Sequence, residues 1–237
     1  MKRFFNSPAL ILLIIMGAMG VVNGRFDDPV KWAMGIALML PGIVIGLSFH
    51  EFGHAYVAYK MGDPTPQLQG RVTVSPLAHI DPIGFIALMF VGFGWGRPVQ
   101  INPNNFKKPR RDELLVAIAG ITINFILAIV FAGILKLIVV FGYSFVNTYM
   151  GSVVVDIISY TIMINIVLLV FNLLPIPPLD GFGIITQIFN LKGTAFYYKV
   201  YDKGFIILML LLILNIVDIV LNPAVSFIYS FIVGIFF

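Results

Sequence analysis

The chain has 237 residues, of which 59% are hydrophobic and 11% charged. A soluble domain carries roughly 25% charged residues, so this composition excludes an ordinary water-soluble protein and leaves no room for a separate soluble domain. The net charge of +4 gathers in short loops beside apolar runs, where it sets membrane orientation and meets anionic lipid rather than nucleic acid, and the absence of cysteine removes disulfides and thiolate metal sites.

In chain order, residues 8–22 form a first apolar run behind Lys2 and Arg3. It has the outline of a signal peptide but reads as an uncleaved span, because the topology below works with it in place. Residues 32–59 are a second span, with a kink expected at Pro41-Gly42. Residues 60–81 are more polar, and the alternation of 69–74 after Gly70 predicts a short strand. Residues 82–96 are uncharged but only 15 residues long and rich in glycine, which fits a re-entrant segment as well as a spanning one. The most basic loop follows, with Arg97, Lys107, Lys108, Arg110 and Arg111.

Residues 114–135 are a clear span. Residues 157–179 form another, broken at its end by Pro175, Pro177 and Pro178 and followed at once by Asp180-Gly181. A loop with Lys192, Lys199 and Lys203 leads into 205–237, where Asp218 and Asn222-Pro223 predict one span plus a short returning segment. The expected fold is an all-α polytopic membrane protein of about five to six transmembrane helices with a short re-entrant or membrane-associated β segment. It forms one domain over 1–237, with a core at about 32–191, a first span and loop at 1–31 and a C-terminal span region at 204–237.

Positive loops stay cytoplasmic. Lys2/Arg3, the 107–111 cluster and the 192–203 loop all satisfy that rule if 82–96 dips in and returns to the same side. His50 then lies about 15 Å from the cytoplasmic end of its helix, at 1.5 Å per residue. Asp180 sits just past the cytoplasmic end of its own run. Both fall in the cytoplasmic half of the membrane and can meet.

The chemistry concentrates in His50-Glu51-Phe52-Gly53-His54. Two histidines four apart share a helix face and can reach one metal ion, and Glu51 beside them is placed to hold or deprotonate a water there. Glu51 is also the only charged side chain in 32–59. Ionisable groups at membrane depth are costly and usually functional. A zinc hydrolase commonly takes two histidines and a carboxylate, and Asp180, beside a proline-broken stretch with Gly181 and Gly183, is the best third ligand. Reading both histidines as core residues instead leaves Glu51 buried without a basic partner. His79, the remaining histidine, reads as a loop residue with a local structural hydrogen bond. Lys136, Asp156 and Asp218 read as snorkelling near the outer interface.

The HExxH helix, Gly120-xxx-Asn124 and the run Asn172-xx-Pro175-x-Pro177-Pro178-Leu179-Asp180-Gly181 together resemble the three marks of the site-2 proteases, zinc enzymes that cleave transmembrane helices within the bilayer. The resemblance implies one zinc ion per chain on His50, His54 and Asp180, with Glu51 as catalytic base. It assigns Asn124 to the substrate backbone or the developing oxyanion, against the competing reading of an interhelical hydrogen bond. It implies transmembrane protein substrates and a multi-pass place in the cell membrane, with lipid and no nucleic acid as partners; the sequence sets no oligomeric state. Many members carry a PDZ domain between the Asn span and the Asp span, whereas the short 142–151 connection here resembles a compact member without one. Many also have proline after the glycine, where this chain has Ile121.

The strand-like segments 71–74 and 98–102 are read as an edge for an unwound substrate. Two other classes compete. A polytopic transporter or metal-ion carrier also uses intramembrane His and Asp, but it needs no Glu beside the pair and would show more polar spans or a repeat. A membrane zinc protease that trims lipidated C-termini takes a Glu as third ligand from a later helix.

Overall fold

The computed structural model describes residues 8–237. Local chemistry starts most of its helices. The Asp28 side chain accepts from Lys31 N ahead of α2 (Pro29–Lys60), after the short α1 (Pro8–Val22). Asp81 accepts from Ile83 N and Gly84 N ahead of α3 (Pro82–Val91), and α4 (Pro109–Phe141) opens on a proline, whose fixed φ suits a first helical turn. Thr148 caps α5 (Tyr149–Leu173), and the proline run that follows ends it. Then come α6 (Asp180–Ile188), α7 (Ala195–Tyr201, capped by Thr194), α8 (Gly204–Ile213) and α9 (Ile216–Phe236).

Helices α2, α4, α5 and α9 are each long and apolar enough to cross a membrane. α2 continues through Pro41, where one intrahelical hydrogen bond is necessarily lost. α2, α4 and α5 form the central layer, drawn together by small residues. A Cβ at Gly42 would lie 2.8 Å from Thr161 Cα, and one at Gly53 would lie 3.1 Å from Ala119 O. α4, α5 and α9 share a core of Ala128, Ala132, Ile158, Ile162, Ile166 and Ile232. A second cluster, around Leu13, Leu208 and Met209, joins α1 to α8 and the end of α3.

At roughly 15 Å, the ten-residue α3 is too short to cross a bilayer. Its flanks meet: Ile80 and Gly96 form an antiparallel bridge, and Arg97 N donates to His79 O at 2.7 Å. The segment therefore goes out and comes back, in keeping with the re-entrant expectation. That bridge is the sole β pairing among the described residues, so the expected strand at 69–74 is replaced by a turn and irregular loop between the short helices Thr65–Leu68 and Pro76–His79. Gly70 with φ +66° and the closely spaced Pro64, Pro66 and Pro76 bend the backbone away from an extended course. The C-terminal expectation is also corrected. The chain breaks at Asn215, in the left-handed region at φ 54°, and not at Asn222-Pro223, so a short helix precedes a long one. Residues 142–148, which link α4 to α5, are too few for a domain.

The loop after α2 is pinned by Asp63. Its fully buried carboxylate accepts from Thr65 N and Oγ1, Asn102 N and Asn105 Nδ2, at 2.6–3.0 Å. Burial alone would raise its pKa, but the hydrogen bonds from Thr65, Asn102 and Asn105 outweigh it and hold the group below the ordinary carboxylate range. A depressed folded pKa contributes stability above the unfolded pKa of about 3.9, and that contribution disappears as pH falls through the folded value. Asp63→Ala is expected to lower stability at neutral pH by about 2 kcal/mol, read as a drop in thermal midpoint. The gap from wild type should narrow below about pH 4; a gap that is constant with pH would rule out the ionic contribution.

Candidate metal centre

α2 presents His50 and His54 toward α4 and the start of α6, and Glu51 toward the segment at Val99. Both imidazoles are fixed through Nδ1. His54 Nδ1 lies 2.7 Å from Val116 O, and His50 Nδ1 lies 2.6 Å from Asn124 Oδ1. A backbone carbonyl can only accept, so His54 carries its proton on Nδ1 and leaves Nε2 as a lone pair. Asn124 sets His50 the same way, because its Nδ2 is committed to Gly46 O at 3.2 Å and Asn165 Oδ1 at 2.9 Å, leaving Oδ1 for the ring.

The two Nε2 atoms are 3.0 Å apart, and each is 3.2 Å from Asp180 Oδ2, which no hydrogen-bond donor satisfies. Acceptor atoms that converge like this repel one another unless a cation stands among them. The spacing suits zinc: ligands about 2.05 Å from the ion at tetrahedral angles stand about 3.3 Å apart. The residues also leave space. A Cβ at Gly120 of α4 would fall 2.5 Å from His54 Nε2 and 2.7 Å from His50 Nε2, so hydrogen is the only side chain that fits against the pair. Two neutral imidazoles and one carboxylate form the donor set of a hydrolytic zinc site with a further position open.

Asp180 arrives by a local route. Pro175, Pro177 and Pro178 prevent α5 from continuing, the Pro177–Pro178 bond is cis, and the chain re-enters helix at Asp180. Gly181 packs so closely on the carbonyls of Leu173 and Leu174 that a Cβ there would overlap them. Gly183 has only an ordinary contact with Ala117.

Glu51 lies beside the trio and outside it. Its Oε2 accepts from Val99 N at 3.0 Å. The segment that supplies that N–H is itself clamped: buried Arg71 donates through Nη2 to the carbonyls of Arg97 and Pro98. A cavity of about 320 Å³ opens here, lined by His50, Glu51, His54, Asp180, Val99 and Asn172 among others. It is large enough and polar enough to admit water, the second reactant of a hydrolysis.

The structure thus brings His50, His54, Asp180 and Glu51 together around one cavity. Of the two readings of Asn124, its contacts match the interhelical hydrogen bond, to His50 and Gly46 O on α2 and to Asn165 on α5. Asn124 is fully buried behind His50, bonded to that ring and not on the cavity wall, because its position on α4 faces α2 and α5. His79 bonds Thr73 O at 2.7 Å, a local structural role, and lies outside the trio. Asn172, the first residue of the proline motif, lines the cavity, whereas Arg71, Val99 and Asn165 belong to this neighbourhood without having been singled out by motif. The one available signal was a polar residue in the middle of an apolar run, which Asn165 satisfies.

The family profile described as Peptidase family M50 matches residues 38–214. The chain is 40% identical over 185 residues to "Putative zinc metalloprotease YwhC" of Bacillus subtilis, a match covering 78% of this chain and 84% of that protein. It is 27% identical over 218 residues to "Putative zinc metalloprotease Rip2" of Mycolicibacterium smegmatis, covering 87% of this chain and 80% of that one. "Zinc metalloprotease MJ0392" of Methanocaldococcus jannaschii is 29% identical over 226 residues, covering 93% of this chain and 53% of its own length. No solved structure matches the chain.

Proposed function

Because this chain belongs to peptidase family M50, the site-2 protease family of zinc metalloproteases, we propose that it hydrolyses peptide bonds in or near transmembrane helices of membrane proteins. In this reading one zinc ion per chain is held by His50, His54 and Asp180, in the cytoplasmic half of the cell membrane. The observation that carries the proposal is the convergence of three buried acceptor atoms beside Glu51, on a wettable cavity between apolar helices.

When bound, zinc supplies the Lewis acidity that polarises a peptide carbonyl and makes water acidic. The protein's own groups do the rest. His50 and His54 present Nε2 because Asn124 and Val116 hold their Nδ1 protons. Val99 N–H grips Glu51 Oε2, which leaves Oε1 free to accept the proton of the attacking water and later return it to the leaving amine. Arg71 steadies the backbone on which Val99 sits.

The test uses the purified chain in lipid bilayers with a single-span helical substrate. Cleavage at a bond within or next to the apolar segment is expected, abolished by a zinc chelator and recovered on adding zinc. Cleavage that survived complete metal removal, or that occurred only in soluble peptides, would overturn the proposal.

A further inference from the structure

Asn165 sits in the middle of α5, fully buried, in a run without charge. A lone amide there must find partners, and both of its ends are committed. Nδ2 donates to Thr161 O at 2.8 Å, and Oδ1 accepts from Asn124 Nδ2 at 2.9 Å. Asn124 in turn presents Oδ1 to His50 Nδ1. The result is a hydrogen-bond chain across three helices, from a backbone carbonyl of α5 to a ring of α2, and it has a direction. Thr161 O and Gly46 O cannot donate. Each amide therefore has one orientation that satisfies its partners, and the last member receives an acceptor.

We propose that Asn165 is a positioning residue of the zinc site: acting through Asn124, it fixes the His50 tautomer that leaves Nε2 free to bind metal. The proposal rests on the zinc reading above for its consequence, but its geometry stands in the protein itself. His54 needs no such device, because a helix carbonyl already holds its Nδ1 proton. His50 depends on a side-chain amide, and an amide can flip. With Asn165 present, a flip of Asn124 forfeits two hydrogen bonds and sets its oxygen against two acceptors. Without Asn165 it forfeits only the longer bond to Gly46 O, at 3.2 Å. A flipped Asn124 would present N–H to His50, forcing the ring proton onto Nε2 and blocking that ligand atom.

The experiment compares wild type, Asn165→Leu and Asn165→Asp by two readouts. One is zinc affinity, by competition with a chromophoric chelator. The other is nitrogen NMR of the metal-free protein labelled in its three histidines, which reports each tautomer directly. Leu matches the volume and removes both hydrogen bonds. Asp keeps the size and an oxygen that accepts from Asn124 Nδ2 whether or not it carries a proton.

Asn165→Leu is expected to bind zinc about tenfold or more weakly, as outer-shell losses typically cost 10–100-fold, and to show a mixed or inverted His50 tautomer. Asn165→Asp should stay within about threefold of wild type. Leu binding as wild type with His50 unchanged would overturn the proposal. So would equal losses in Leu and Asp, which would mark a packing role. If wild type itself bound no zinc, the metal reading would fail, while the tautomer spectra would still decide the relay.

Discussion

Glu51→Gln is expected to keep zinc at the wild-type stoichiometry and to lose proteolysis by a factor of about 1,000, within the 10²–10⁴ typical of a general base. The separation is possible because Glu51 stands outside the ligand trio: the atoms that converge belong to His50, His54 and Asp180. Gln is isosteric, and its amide oxygen can still accept from Val99 N–H, so the segment from Arg97 to Val99 keeps its place. What it lacks is an oxygen able to take a proton. Zinc content by mass spectrometry and cleavage of a helical substrate, measured on one preparation, check this. A zinc-loaded Gln variant retaining more than a tenth of wild-type turnover would remove Glu51 from the mechanism.

Gly120→Ala is expected to weaken zinc binding by roughly a hundredfold and to abolish cleavage with it. The added methyl would lie 2.5 Å from His54 Nε2 and 2.6 Å from His50 Cε1, on the side where the ligand atoms converge. Neither ring can step back freely, because each is tied through Nδ1 to α4. Overpacking of this kind costs about 1–3 kcal/mol, and the upper end corresponds to that hundredfold. Helix α4 itself should not suffer, since alanine is favoured over glycine in a helix interior by about 1 kcal/mol. Helical content and thermal midpoint should therefore hold while metal is lost. Gly183→Ala is the control: its methyl would meet Ala117 at an ordinary 3.5 Å, and zinc should stay bound. Equal zinc affinity in Gly120→Ala and wild type would mean that the rings relax without cost, and the tight-cradle argument would fall.

The limits of sequence reading show in particular residues. The two-histidine face was legible because it is a property of one helix: positions four apart align whatever the neighbours do. The break that delivers Asp180 was legible because prolines cannot continue a helix. The length of 82–96 left a return and a crossing equally open, and only the charge of the loops around it favoured the return. The 69–74 alternation misled, because a strand exists only where a partner pairs with it, and bends at Gly70 and the nearby prolines supply none. The C-terminal break was misplaced because a proline can sit inside a helix at the loss of one bond, whereas Asn215 ends one by adopting a left-handed backbone. Asn124 was visible as a polar residue in a span, but nothing local tells whether it faces a cavity or a ring.

By itself, then, the sequence determined the membrane class, the helix that carries His50, Glu51 and His54, and the chemistry those groups invite. Periodicity and proline geometry act over a few residues and need no partner. The tertiary structure decided that Asp180 Oδ2 sits 3.2 Å from both rings, that Val99 holds Glu51, and that Asn165 reaches His50 through Asn124. Those contacts join residues 41 to 130 positions apart. They exist because small residues let α2, α4 and α5 approach closely, and at that range hydrogen-bond direction fixes what each side chain can do.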